Sequence, residues 1–285
     1  MTIVPIARLA AAVLALIVSG PVAAGDSPAR RVVSMNPSLT EILIALGAAD
    51  RLVGVDEYSA RVTPAVADMP TVGGLFNPNL ESVVALQPDL VALVPSIQQR
   101  DFRSRLGELG IPVLALQNHT LPEALHSIEA LGERVGKGEA ARTRVREIRR
   151  AWSEVADAVK TRPRLSGVLV IQREPLYVVG GGSFLDAMLR AAGIDNAAGA
   201  RSEAYPRVGM EWVVAAAPAV ILDASEDARA AEVYWARWPS LPAVAEGRVI
   251  AVPTGEVTRP GPHLDRALRL LARAVHGSDI VTRAP

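Results

Sequence analysis

Acid, base or metal chemistry in this chain would rest on four side chains in predicted loops: Glu57, Glu174, Glu256 and His263. A catalytic or metal site needs such groups to converge, and no spacing in the sequence unites these four. The sequence lacks the motifs of nucleophile-elbow hydrolases, phosphate-binding loops and zinc proteases. It also has no cysteine, which excludes thiolate metal sites and disulfides. The residue types therefore favour a binding protein over an enzyme, with no resident metal or cofactor.

Aromatic and basic residues in predicted loops are the stronger candidates for a site. Aromatic residues make up only 4% of the chain, yet several fall in loops that follow strands. Ligands of open αβ proteins bind at the carboxyl ends of the strands, and small-molecule sites combine apolar walls with a few polar groups. The residues predicted to bind a ligand are Tyr58, Leu75, Phe76, Arg173, Tyr205, Arg259 and His263.

An internal repeat indicates the elements that position these loops. Residues 79–92 read NLESVVALQPDLVA, and residues 209–222, at a shift of 130, read GMEWVVAAAPAVIL. Each copy has a glutamate, Glu81 or Glu211, then Val-Val-Ala and a proline. An acidic first turn suits the positive end of a helix dipole, the proline ends the helix, and the apolar run is typical of a buried strand. The repeat predicts two similar lobes, in which Val-Val-Ala is structural and each lobe presents one glutamate near a helix start.

Strands and helices alternate on both sides of one segment that differs from its surroundings. Residues 139–160 contain no proline or glycine and predict a helix of about 33 Å, whose arginines form a solvated face. We predict an α/β fold of two αβ lobes joined by this helix. The N-terminal lobe spans residues 30–137, the linking helix 138–162 and the C-terminal lobe 163–280. In the first lobe, Ser38 and Glu41 predict a capping box at a helix start.

The N-terminus has the composition of a signal peptide, assigned to residues 1–24. Arg8 precedes an uncharged run that ends in small residues, and Gly20-Pro21 interrupts its short apolar core. Without a cysteine, a bacterial lipid anchor is excluded. The chain carries 30 basic and 30 acidic residues, so it has no electrostatic footprint for nucleic acid. We expect a cleaved signal peptide and a protein that is free in the periplasm.

Six short segments occur in a specific order: residues 31–41 (RVVSMNPSLTE), 53–55 (VGV), 72–74 (VGG), 77–81 (NPNLE), 88–91 (PDLV) and 205–211 (YPRVGME). Together they resemble the periplasmic binding proteins of ABC importers for iron complexes and vitamin B12, over roughly residues 30 to 276. The resemblance implies two lobes bridged by a rather rigid helix, with the ligand between them. It also implies a glutamate on each lobe, here Glu81 and Glu211, that pairs with arginines of the membrane permease.

The cobalamin-binding branch of that family is the most similar. The resemblance implies that Tyr58, Leu75 or Phe76, Tyr205 and Arg259 line a corrinoid, which would be transported cargo. The chain has Leu75-Phe76 and Tyr205 where that branch can place a tryptophan.

Two other ligands and one enzyme class stay open. Haem binders of the family place a tyrosine or histidine on the iron, for which Tyr58 or His263 is available. Ferric siderophore binders use arginines, here Arg173, Arg207 and Arg259. A tetrapyrrole metal-handling enzyme is the rival from outside the transport class.

Overall fold

The computed structural model describes residues 27–225, 227 and 230–281, which form two αβ lobes on either side of one long helix. The predicted signal peptide, residues 1–24, lies outside the described residues. Within the described part, no helix combines the length and apolar character needed to span a membrane.

A four-stranded parallel sheet forms the first lobe. Its strands run in the order β2-β1-β3-β4, so their carboxyl ends share one edge. All residues of β1 and β3 are buried, as expected for central strands of a parallel sheet. The strands are β1 (Val32–Met35), β2 (Leu52–Val55), β3 (Leu90–Leu93) and β4 (Val113–Ala115). The helices are α1 (Pro37–Ala45), α2 (Glu57–Val62), α3 (Leu80–Ala85), α4 (Arg100–Glu108) and α5 (Leu121–Arg134).

The linking helix is α6 (Gly138–Val159). Its buried side chains recur every three or four residues and form one stripe, as helical periodicity requires. The opposite face carries arginines that pair with glutamates on the same helix, for example Arg142 with Glu139 and Arg150 with Glu154.

The second lobe contains a five-stranded sheet in the order β6-β5-β8-β9, with β7 also paired to β5. The pairing of β5 with β6 is antiparallel and the others are parallel. The strands are β5 (Leu165–Gln172), β6 (Tyr177–Val178), β7 (Ile194–Asn196), β8 (Val220–Asp223) and β9 (Val249–Ala251). The helices are α7 (Phe184–Ala191), α8 (Met210–Ala216), α9 (Ala231–Trp235), α10 (Pro242–Ala245), α11 (Thr254–Val257) and α12 (Leu264–His276).

The two lobes share one hydrophobic core on the side of α6. This helix packs against α5 of the first lobe and α12 of the second. One cluster of buried side chains includes Leu39 of α1, Ile128 of α5, Ile148 of α6, Met188 of α7 and Leu268 of α12. The opposite face of each sheet has a separate, smaller core. The lobes are therefore joined by packed side chains as well as by the chain itself.

The sequence repeat is also a structural repeat. Helix α3 and strand β3 correspond to α8 and β8 at the shift of 130 residues, and the burial class is the same at each position from 79 to 93 except one. Gln87 and Ala217, which precede the two prolines, have φ values of 46° and 44°. Both residues leave their helix in the left-handed conformation, which few residues other than glycine adopt. The backbone path is thus the same in both lobes.

Two local predictions were wrong. Helix α1 begins at Pro37, and its N-cap is Asn36, whose side chain accepts a hydrogen bond from the Ser38 amide (2.9 Å). Proline suits the first position of a helix because its missing N–H has no partner there, so Ser38 lies inside the helix and no capping box forms. Tyr58, expected in a loop, lies in the first turn of α2. The Val-Val-Ala segment, expected to be structural, does form helix in both copies, although its second valine is exposed.

Candidate ligand-binding cleft

The first lobe positions Tyr58 through a buried polar network at the carboxyl edge of its sheet. Asp56 follows β2, is fully buried and caps α2 by accepting hydrogen bonds from the Ser59 amide (2.9 Å) and hydroxyl. Thr40 donates to Ser34 on β1 (2.8 Å). Burial raises the pKa of Asp56, and the Ser59 hydrogen bonds oppose that rise. This network fixes the start of α2 and leaves Tyr58 38% exposed.

A tight loop presents Leu75 and Phe76 beside this network. Gly73 has φ +92° and its backbone pairs with Pro78, so the chain turns back within six residues. The Leu75 carbonyl accepts a hydrogen bond from the side chain of buried Gln99 (2.6 Å). Phe76 is 61% exposed at the tip of the loop. The turn therefore holds an aromatic ring away from the core.

Sequence reasoning missed one apolar residue at the same edge. Ile97 lies in the segment that follows β3, two residues before Gln99, and it is 80% exposed. Exposed apolar residues that cluster are typical of ligand or protein contacts. An isoleucine between Ser96 and Gln98, directly after a strand, was the available signal.

The second lobe positions Tyr205 by close approach of two backbone segments. The Gly180 amide donates to the Ala204 carbonyl (2.8 Å) and the Gly181 amide to the Arg201 carbonyl (3.0 Å). A methyl group on Gly180 would clash with the carbonyl oxygen of Glu203, so glycine is required there. Tyr205, at the end of this segment, is 40% exposed. Its partial burial raises the pKa of its hydroxyl. The triple glycine thus allows the loop that carries this tyrosine to pack closely against it.

Arg173 is held by an ion pair with a buried acid. Its guanidinium donates to Asp223 (2.9 Å) and lies 5.3 Å from the centre of the Tyr234 ring. The Asp223 carboxylate also accepts from the Trp235 indole (2.7 Å) and the Ser225 amide (3.1 Å). The structure therefore places Arg173 at the carboxyl edge of the second sheet, but Asp223 balances its charge. Its predicted ligand contact stays a prediction.

Arg259 and His263 line a cavity of about 520 Å³ between the lobes. One wall is formed by residues 62–64 after α2 and the other by α11 and the start of α12. Arg259 forms an ion pair with Glu41 of α1, across the lobe boundary. Glu256 and Arg266 line the same cavity. Tyr58 in α2 and the loop residues Leu75, Phe76 and Tyr205 do not line this cavity.

His263 is the N-cap residue of α12, and its Nδ1 atom is buried without a hydrogen-bond partner. Burial lowers the pKa of this histidine, and the nearby Arg266 lowers it further. The imidazole is therefore neutral at pH 7.

The acids of the predicted enzyme set are not gathered into a site. Glu256 and His263 line the same cavity, whereas Glu57 and Glu174 do not. Across residues 27–225, 227 and 230–281, no group of three or more histidines and acids is arranged to hold a metal ion.

The repeat glutamates lie on the surface of each lobe. Glu81 and Glu211 occupy the first turns of α3 and α8 and are exposed. Each helix leads into the amino end of its strand, so its first turn lies towards the edge that carries the cleft loops. One turn later, Val84 and Val214 are 39% and 46% exposed. Each lobe therefore presents an exposed glutamate and, one turn later, an exposed valine.

Comparison with known proteins identifies the architecture. A family model described as "Periplasmic binding protein" matches residues 32–254. The chain belongs to this family. The fold class expected from the sequence is confirmed: the periplasmic binding proteins that resemble it have the same mixed α/β architecture.

Three proteins that are similar to this chain carry more specific names. A vitamin B12-binding protein from Vibrio campbellii is 28% identical over 236 residues, which cover 82% of this chain and 85% of the relative. The crystal structure of the periplasmic vitamin B12-binding protein BtuF of Vibrio cholerae has a TM-score of 0.76 and 27% identity, covering 87% of this chain and 96% of that one. A periplasmic heme-binding protein from Pseudomonas aeruginosa has a TM-score of 0.71 and 27% identity, covering 88% and 94%.

Proposed function

We propose that this protein is the substrate-binding component of an ABC importer and that it carries cobalamin. The observation that carries the proposal is the set of exposed aromatic residues on the two lobes: Tyr58 in the first turn of α2, and Phe76 and Tyr205 in loops. A corrinoid is a broad, flat ligand with amide side chains, and it needs large apolar contacts with a few hydrogen bonds. Relatives named for vitamin B12 binding support the same ligand.

The mechanism is binding and release, with no bond made or broken. The shared core of α1, α5, α6, α7 and α12 resists large separation of the lobes because opening it would expose buried side chains. Ligand entry therefore depends on movement of the cleft loops and on small rotation of the lobes. Leu75, Arg173, Arg259 and His263 complete the proposed set of contacts.

Titration with ligands tests the cobalamin proposal. Cyanocobalamin, haemin and a ferric siderophore are added separately to the purified protein, and binding is followed by calorimetry and absorbance. We expect cyanocobalamin to bind, with loss of about tenfold or more in affinity when Phe76 or Tyr205 is replaced by alanine, as for buried aromatic anchors. Absence of cyanocobalamin binding at tens of micromolar would contradict the proposal.

Glu81 and Glu211 are proposed as contacts for the permease. One exposed glutamate per lobe, at equivalent positions of a repeat, suits a partner that offers two similar cationic surfaces. The double variant Glu81→Lys and Glu211→Lys should abolish cobalamin uptake in cells and leave the ligand affinity of the purified protein unchanged. A loss of ligand affinity would instead place these glutamates in the ligand site.

Haem is the alternative ligand. The heme-binding structure matches this chain with the same identity as the B12-binding one. His263 is neutral at pH 7, which is the form that coordinates iron, and Tyr58 is the other iron-ligand candidate. Haemin binding that depends on His263 or Tyr58, together with no binding of cyanocobalamin, would support this alternative.

We also propose that residues 1–24 are removed and that the mature protein is free in the periplasm, without a lipid anchor. The absence of cysteine from the sequence supports the second point. Mass spectrometry of the protein exported from a Gram-negative host would give its N-terminus directly. A mature chain that retains residues 1–24 would contradict this proposal.

A further inference from the structure

Arg259 is a basic side chain in the cleft that could bind a ligand anion, but it is already paired with Glu41. Arg259 donates to the Glu41 carboxylate, and the two side chains are only 21% and 17% exposed. Gly255 makes this arrangement possible, since a methyl group there would lie 2.6 Å from the Arg259 Nη2 atom. An ion pair this poorly exposed is weakly screened by solvent and salt. Glu41 therefore competes with any ligand anion for the guanidinium.

The cavity around this pair is balanced in charge. Its lining includes two carboxylates, Glu41 and Glu256, and two guanidinium groups, Arg259 and Arg266. His263 adds no charge in its neutral form. A ligand carboxylate that binds Arg259 would have to displace Glu41 and leave the Glu41 carboxylate without its partner in a partly buried position, which is costly.

We propose that Glu41 determines ligand specificity by neutralising Arg259, so that the cleft accepts an uncharged amide-bearing ligand and discriminates against carboxylate-bearing ones. This inference deepens the proposed cobalamin binding and rests on it. Cyanocobalamin has no net charge, whereas haem has two propionates and many ferric siderophores are anionic. Glu41 lies in α1, a helix for which the sequence indicated no contact with ligand.

Matched ligands test the role of Glu41. Cyanocobalamin is compared with its b-, d- and e-monocarboxylates, each of which has one propionamide replaced by propionate. We expect the wild-type protein to prefer cyanocobalamin, and Glu41→Gln to raise affinity for at least one monocarboxylate by about tenfold, as a freed charge-assisted hydrogen bond allows. The affinity for cyanocobalamin should change by less than threefold, and thermal unfolding checks that the variant is folded.

Two controls assign the effect to the ion pair. Glu256→Gln removes one negative charge from the same cavity without freeing Arg259, so it should give no comparable gain. Adding Arg259→Gln to Glu41→Gln should remove the gain. An equal gain in Glu256→Gln, a gain that persists in the double variant, or no gain for any of the three monocarboxylates would overturn the inference.

The outcome is separable from that of the proposed function. If the wild-type protein binds haemin and not cyanocobalamin, the cobalamin proposal fails, and the same variants are compared with haemin and its dimethyl ester. A selective gain for haemin in Glu41→Gln would then retain the role of Glu41, and equal affinity changes for both haem compounds would reject it.

Discussion

The residues that directly follow the two copies of the repeat are equivalent in position but differ in chemistry. Leu93 closes β3 and Asp223 closes β8, at the same shift of 130 residues, and both are completely buried. Leu93 packs with Phe102 and Leu106 in an apolar cluster. Asp223 has instead an ion pair with Arg173 and further hydrogen bonds. One backbone position therefore accepts an apolar side chain in one lobe and a charged one in the other.

This difference shows that the repeat preserves backbone path and burial, while the side chains at the cleft edge have diverged. A buried carboxylate is tolerated only when paired and hydrogen-bonded. Three side chains of the second lobe, those of Arg173, Ser225 and Trp235, satisfy Asp223. The first lobe has no buried carboxylate at Leu93 that needs partners. Its edge instead has exposed apolar residues such as Phe76 and Ile97.

Exchange of the two residues should break the comparison most strongly. Leu93→Asp would bury a carboxylate among apolar side chains without a partner, at a cost of about 5 kcal/mol or more, so we expect no stable fold at pH 7. Asp223→Leu leaves Arg173 and the Trp235 indole without their acceptor and should cost about 3–5 kcal/mol. Urea denaturation measures both. Leu93→Met, a volume-conserving control, should cost less than about 1.5 kcal/mol. Wild-type stability of Asp223→Leu would show that the ion pair has no structural role.

The loops on the two sides of the cleft should differ in their tolerance of an added methyl group. Gly180→Ala forces the Glu203 carbonyl away and moves the segment that ends in Tyr205, so it should cost about 1–3 kcal/mol and weaken ligand binding. Gly74→Ala meets only the end of the Asn77 side chain, which can rotate, and should cost less than about 1 kcal/mol. Denaturation and cyanocobalamin titration compare the two variants. Equal losses in both would contradict this distinction.

Opposite pH dependences are expected from Asp56 and His263. The folded-state pKa of Asp56 is raised above 3.8, so its contribution to stability is greatest below pH 3.8 and is lost as pH rises through the raised pKa. The folded-state pKa of His263 is lowered below 6.5, so its contribution is complete above pH 6.5 and is lost as pH falls through the lowered pKa. Asp56→Asn and His263→Gln should each flatten one of these slopes in unfolding free energy against pH. If a substitution leaves the curve of unfolding free energy against pH unchanged, the pKa shift of the residue it replaces is ruled out.

The caps of α3 and α8 should give the smallest difference. The Asn79 side chain accepts a hydrogen bond from the Ser82 amide (2.9 Å), whereas the equivalent N-cap in α8 is Gly209, which has no side chain. Asn79→Ala should cost about 1 kcal/mol, and Gly209→Asn should stabilise by a few tenths of a kcal/mol. Both changes are read from urea denaturation. A destabilised Gly209→Asn would indicate that the Glu211 carboxylate, which lies near Gly209, cannot move aside.

The sequence was sufficient for features that depend on local pattern. The repeat at residues 79–92 and 209–222 indicated both α3–β3 and α8–β8, because periodicity and proline placement act over a few residues. Loop position selected Phe76 and Tyr205, which are exposed in loops, and Tyr58, which is exposed but lies in α2; the contact of all three with a ligand stays a prediction.

Pairings across the fold could not be read from the sequence. Arg259 and Glu41 are 218 residues apart, and Arg173 and Asp223 are 50 apart. No local periodicity reports such contacts, since they depend on how lobes and strands pack. The same limit explains the capping box predicted for Ser38 and Glu41: the local pattern was present, but Asn36-Pro37 supplied a better helix start and Glu41 is paired with Arg259.

The core that passes through both lobes and α6 has a consequence for dissection of the molecule. Neither residues 30–137 nor residues 163–280 alone would cover the apolar sides of α5 and α12, since α6 lies between them and packs against both. Produced separately, the halves should aggregate, and mixing them should restore one folded particle only if one of them carries α6.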